Sequence, residues 1–223
     1  MGYRIDNKEI DLSGIRKLSF VPREKAGDVY RYKNTALRIF KDGEEPIDEE
    51  TAEYLTNIHT DRILLPKKLL FYNNAFKGYS MKLVPQKGSG QRMITAPKDE
   101  LIGSVIALEK DVDKISQKKV LLNGANPGYV LYNGELYLVN PAGYSILELE
   151  KSEDLKRLNA YQIHLLLIEL IAADLRKSHY PQKTINIMKQ LLSMRDLDQP
   201  SSSYLNELMK DKENIKELVK KMS

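Results

Sequence analysis

Apolar residues recur along this chain in two rhythms. Up to about residue 84 they alternate with polar ones in short runs, and from residue 97 they return every three or four positions. Residues 17–21, 28–32, 35–40, 69–72 and 78–84 read as five strands. Lys33-Asn34 separates the second from the third, and Asn73-Asn74 the fourth from the fifth. A short leading hairpin is expected over residues 3–12, around Asp6-Asn7. Residues 45–58 read as a short helix, with Pro46 near its start and acids in the first turn, where the helix dipole favours them. After Pro97, the positions Leu101, Val105, Leu108, Val112 and Ile115 give one apolar stripe and predict a helix. Residues 155–175 predict a second helix, apolar on nearly every side from Ile163 to Ala173, and such a helix belongs inside protein. Residues 184–194, 203–209 and 213–222 read as amphipathic helices, and residues 198–203 supply an N-cap. Between the two long helices, Asn133-Gly134 divides the strand-like runs 129–132 and 136–139. This is a tight-hairpin signal, because both turn residues are expected at φ > 0.

The composition removes several classes of function. With 223 residues and no Cys, there is neither a disulfide framework nor a thiolate metal site, which agrees with a cytoplasmic location. The start is charged from Arg4 onward and lacks an apolar leader. The longest apolar run, residues 163–173, is interrupted by His164 and Glu169 and is too short for a membrane span. His59, His164 and His179 lack metal-ligand spacing, and His164 falls on the apolar helix as a satisfied core residue. No Gly-x-Ser-x-Gly elbow, Walker loop or dinucleotide fingerprint is present. The net charge of +4 resides in residues 176–223, where 10 Lys or Arg face 6 Asp or Glu. Interspersed signs make that tail a set of solvated helices rather than a nucleic-acid surface.

Candidate chemistry centres on residues 120–143, VLLNGANPGYVLYNGELYLVNPAG. The segment resembles the catalytic cassette of protein-kinase-like phosphotransferases, in which a loop carrying a catalytic Asp and a metal-binding Asn precedes a hairpin and a metal-binding Asp follows it. Laid on that pattern, Gly124 takes the place of the catalytic Asp, Pro127 keeps the loop proline, Tyr129 replaces the Asn, and Asn140 replaces the metal-binding Asp. No register shift restores the missing acids, because there is no aspartate between Asp113 and Asp154. Glu135, Glu148, Glu150 and Glu153 are the only carboxylates there.

The resemblance runs from about Lys17 to Lys177 and implies an α+β, bilobal protein-kinase-like fold. Residues 1–84 would form a small lobe with a five-stranded antiparallel sheet and one helix, 85–90 the hinge, and 91–223 a mainly helical large lobe bearing the hairpin 129–139. Of the glycine-rich phosphate loop only Gly27 remains. Arg38 stands where the ATP-binding Lys belongs, and a planar forked guanidinium is no simple substitute for a compact ammonium. Glu50 or Glu53 would be its partner on the helix. The only vestigial cofactor contacts are Gly27, Arg38, Glu50, Glu53 and Asn140. The resemblance implies no cofactor, or at most weak, metal-independent ATP binding, and no metal site. It points to a catalytically inactive pseudokinase, a regulatory or binding module whose partner is another protein. The alternatives are a divergent ATP-binding phosphotransferase of the same fold and, third, a nucleic-acid-binding protein acting through its basic tail.

Overall fold

The computed structural model describes residues 2–18, 27–44, 46–84, 93–124, 130–139, 143–196 and 198–222. The first part of the chain builds one antiparallel sheet from β1 (Tyr3–Ile5), β2 (Lys8–Ile10), β3 (Arg16–Lys17), β4 (Asp28–Tyr32), β5 (Thr35–Ile39), β6 (Lys68–Tyr72) and β7 (Ala75–Lys82). The strand order is β2-β1-β6-β7-β5-β4-β3. Seven strands replace the expected five because the leading hairpin pairs with β6, Tyr3 against Tyr72 and Ile5 against Leu70, and so extends the sheet. Its turn is made at Asp6 and Asn7, both at positive φ (50° and 61°), and Asn73-Asn74 turns in the same way at 50° and 68°.

Register decides what each face carries. Val29, Arg38 and Tyr79 lie side by side across β4, β5 and β7, with Ala36 beside Met81 one step along. Val29, Ala36, Tyr79 and Met81 join the main apolar core. Leu37 and Leu70, on the opposite face, are equally buried. Opposite β6, one extra residue of β7 bulges, so that Leu70 faces Gly78 and Phe71 faces Phe76. Gly78 is required there: φ is +146°, and a Cβ would lie 2.0 Å from the carbonyl oxygen of Arg38.

Helix α1 (Glu49–Thr56) is shorter than its predicted range, since the Asp48 side chain caps it by accepting from the Thr51 amide at 2.7 Å. It packs Ala52 and Leu55 inward. A 3-10 turn at Met93–Thr95 leads to α2 (Lys98–Gln117). All five residues of its predicted stripe are buried, each side chain worth about 1.5–3 kcal/mol of burial. Two further pairs follow: β8 (Val120–Leu122) with β11 (Tyr144–Ile146), and β9 (Val130–Tyr132) with β10 (Leu136–Leu138). The β9–β10 hairpin does not make the expected two-residue turn. Tyr132 pairs with Leu136 across a three-residue loop, and of Asn133-Gly134 only the glycine takes positive φ, 94°.

Helix α3 (Ser152–Lys177) runs through the helical part, against α2, β8 and α4 (Gln182–Ser193), and α5 (Ser201–Leu208) and α6 (Ile215–Lys220) complete it. Asn159 of α3 is fully buried and ties three elements together. Its Oδ1 accepts from the Leu122 amide at 2.6 Å, and its Nδ2 donates to Ser116 Oγ and to the Val120 carbonyl, both at 2.9 Å. The linker before α5 supplies no side-chain cap. Glu109 of α2 does so instead, accepting from the Ser202 amide (3.1 Å) and hydroxyl (2.5 Å). By length and mean hydropathy (1.3) α3 would suit a bilayer, unlike the short apolar run in the sequence, but half of that stretch is buried inside the fold. Nor is it apolar and covered all round: Leu158, Tyr161 and Leu165 remain exposed.

Candidate functional site

The expected nucleotide-facing residue, Arg38, lies in the middle of the sheet face that turns toward the helices, and it is 1% exposed. A buried guanidinium there follows from strand parity, since its neighbours in register are the core residues Val29 and Tyr79. Tyr144 approaches from β11 and is itself buried. Burial foremost, and then Tyr79, push its hydroxyl well above the ordinary tyrosine range. Arg38 acts in the opposite sense, and Asp111 adds to the rise. Arg38, Tyr79 and Tyr144, from β5, β7 and β11, are thus all buried and within electrostatic reach of one another. Glu50 and Glu53 are not part of this cluster. Both are exposed on α1, whose inward positions are Ala52 and Leu55, so the phase of the helix turns them away from the sheet face that carries Arg38.

Gly27 sits at the edge of the sheet with φ +134°, where a Cβ would come within 2.4 Å of the Ile39 carbonyl oxygen. Its glycine character serves close approach of two backbones. Gly124, which the resemblance sets against the family's catalytic acid, has φ +59°, and a Cβ there would meet nothing within 4 Å among the described residues. Tyr129, Asn140 and the proposed hinge 85–90 lie outside the described residues. Among the described residues no group of three or more His, Cys, Asp or Glu is placed to hold a metal ion.

Beside this cluster the loop after α1 is fastened to the helical part by groups that sequence inspection missed. Asp111 of α2 is 1% exposed, and its Oδ2 accepts from the amides of Asp61 (2.8 Å), Arg62 (2.5 Å) and Ile63 (3.1 Å). Its Oδ1 meets Lys114 Nζ at 3.0 Å. The same loop bonds to β10, Leu64 donating to the Leu138 carbonyl (2.7 Å) and Leu138 to that of Arg62 (2.8 Å). Arg62 grips Glu135 with both terminal nitrogens at 2.5 Å, its guanidinium lies 4.8 Å from the centre of the Tyr137 ring, and the Tyr137 hydroxyl donates to Glu135 at 2.6 Å. Arg62 first, and Tyr137 next, hold the Glu135 carboxyl down at about 2. The hairpin's only acid thus belongs to a structural clasp. The signal for Asp111 was available in its spacing, three residues after Leu108 and four before Ile115, within the buried stripe. His164 is buried as expected, and its Nε2 has no hydrogen-bond partner among the described residues. Burial first, and then Arg195, lower it to about 4.

No protein-family model and no curated protein matches the chain. Among solved structures, the kinase domain of Mycobacterium tuberculosis PknI aligns over 94% of this chain and 97% of that domain, with a TM-score of 0.54 and 17% sequence identity. At that identity the likeness is one of fold: a mixed α+β, protein-kinase-like arrangement of an antiparallel sheet and helices.

Proposed function

We propose that this chain, with its protein-kinase-like fold, is a pseudokinase: a regulatory module that binds another protein and does not transfer phosphate. The observation that carries the reading is the buried Arg38. Phosphoryl transfer needs a cation free to reach phosphate oxygens, carboxylates to hold Mg²⁺, and a base to orient the attacking hydroxyl. The residues fit a metal-bound triphosphate poorly. Arg38 is 1% exposed among core side chains with Tyr144 beside it, Glu50 and Glu53 face solvent, and no aspartate occurs from residue 114 to residue 153. A neutral Asn140 carbonyl would be a weak Mg²⁺ ligand.

Thermal unfolding with ATP, with and without Mg²⁺, tests the proposal. A ligand at a hundred times its Kd adds about 2.7 kcal/mol, which in a domain of this size raises Tm by roughly 5–11 °C. The expected result is no Mg²⁺-dependent rise and no ATP turnover. A rise of that size together with turnover lost in Arg38→Ala, and retained in Arg38→Lys, would establish the competing divergent phosphotransferase. Equilibrium dialysis of ATP against the unaltered chain reads binding even where the Arg38 variants fold poorly. Affinity for nucleic acid that falls steeply with added salt would instead favour the basic tail as the active surface.

A further inference from the structure

A cavity of about 340 Å³ opens between α2, α3 and the turn joining α4 to α5. That volume falls within the range of small-molecule sites. Its apolar lining is aliphatic: Ile106 and Val112 of α2, Ala160 of α3 and Pro200 of the turn. Among the described residues none of the lining side chains is aromatic, so a nucleobase or other flat ring would find nothing to stack on.

The charged groups around the cavity do not cancel. Two of its three acids are taken up by cations, Asp113 by Lys156 at 2.8 Å and Asp198 by Arg157 at 2.7 Å. Both oxygens of the third, Glu109, accept from Ser202, from its amide at 3.1 Å and its hydroxyl at 2.5 Å. Lys110 and Arg195 complete the lining, which makes four cations against three acids. Lys110 is exposed, whereas Arg195 is only 7% exposed and donates from Nη1 to Ser201 Oγ at 2.5 Å. Burial pulls the Arg195 guanidinium below its ordinary range, and Glu109 and Asp196 offset this only in part. The same cation, after burial, helps to keep His164 neutral. A buried positive charge is thus incompletely balanced by the acids near it.

We propose that this cavity binds a small aliphatic carboxylate, its charged group meeting Arg195 and its hydrocarbon part lying against Ile106, Ala160 and Pro200. A guanidinium offers parallel N–H donors that match the two oxygens of a carboxylate, and one negative charge meets an excess of one cation. None of these residues belongs to the Arg38 cluster, and the inference does not rest on the pseudokinase reading.

Calorimetric titration of the full chain with octanoate, kept below its micelle-forming concentration, is the test. Saturable binding is expected, with octylamine and octanol at least tenfold weaker, because neither makes the charge-assisted bond. Ala160→Phe, which fills the cavity from a partly exposed helix position and leaves Arg195 in place, is expected to abolish binding with circular dichroism unchanged. Arg195→Gln should weaken binding about tenfold or more, and Arg195→Lys by less. Ala160→Phe keeps the test decisive where the Arg195 variants fold poorly. Absence of saturable octanoate binding by the wild type, equal binding of octylamine, or undiminished binding to Ala160→Phe would each overturn the proposal.

Discussion

Replacing Asp111 with alanine offers the sharpest test of how the loop after α1 is held. Its carboxylate is 1% exposed and accepts three backbone amides at 2.5–3.1 Å while facing Lys114 at 3.0 Å. Alanine strands those amides. The Ile63 amide has no route to water, because that residue is fully buried, whereas Asp61 is exposed and its amide is rehydrated. A hydrogen bond to a charged acceptor is worth about 1.5–3 kcal/mol, so the bonds to the Arg62 and Ile63 amides together put about 3–6 kcal/mol at stake, while Lys114, 43% exposed, is rehydrated. Partial rehydration sets the expected loss for Asp111→Ala inside that second range, against a total stability of about 5–15 kcal/mol. Asp111→Asn keeps an acceptor but not the charge, and about half the loss is expected, since charge-assisted bonds are about twice as strong as neutral ones. Equilibrium unfolding in urea reads both variants, with the slope unchanged if the folded state is otherwise intact. The Tm of the alanine variant should fall by roughly 6–20 °C. A loss below about 1 kcal/mol for Asp111→Ala would show that the loop is held by its β10 pairing alone, and the reasoning would fail.

Three other substitutions probe the packing elsewhere. Asn159→Ala leaves the Leu122 amide and the Val120 carbonyl unpaired beside α3, and it should cost about 2–4 kcal/mol in urea unfolding. Gly78→Ala would drive a Cβ to 2.0 Å from the Arg38 carbonyl and should lower Tm far more than Gly124→Ala, which meets only the cost of a left-handed φ, about 1 kcal/mol. His164 is held at about 4 against an ordinary 6.5, so the folded chain keeps it neutral while the unfolded chain takes up a proton. That contribution is fully present above about pH 6.5 and is lost as the pH falls toward 4. His164→Gln should flatten this part of the stability profile, and an unchanged slope would contradict the burial of the imidazole.

Long, strongly periodic elements are legible in the sequence, and short paired ones are not. The stripe from Leu101 to Ile115 and the helix through Ile163 follow from spacing alone, because only a helix brings apolar residues three and four apart onto one face over so long a run. Strands β8 and β11 have three residues each, too few for alternation to register, and β8 is held to α3 by Asn159, which is distant in sequence. By residue type alone, Asp111 and Asn159 pass for surface polar groups. Their helical phase shows otherwise, since Asn159 lies four residues from both Leu155 and Ile163, on the buried face. Position alone makes Glu50 and Glu53 candidates for pairing with Arg38, but the inward phase of α1 belongs to Ala52 and Leu55, and that turns both acids outward. Strand parity puts Arg38 on the inner face; how completely it is buried depends on long-range packing that parity does not give.

The order β2-β1-β6-β7-β5-β4-β3 has a consequence for how the protein is made. The central strands β6 and β7 leave the ribosome after both groups of strands that flank them. Until residue 82 has emerged, the earlier strands can pair only as two separate groups, β2-β1-β6 and β5-β4-β3, with no strand between them. The sheet is therefore closed by its last-made strand, β7, which joins the two groups. Until β7 is made, the strands that will flank it keep unpaired edges.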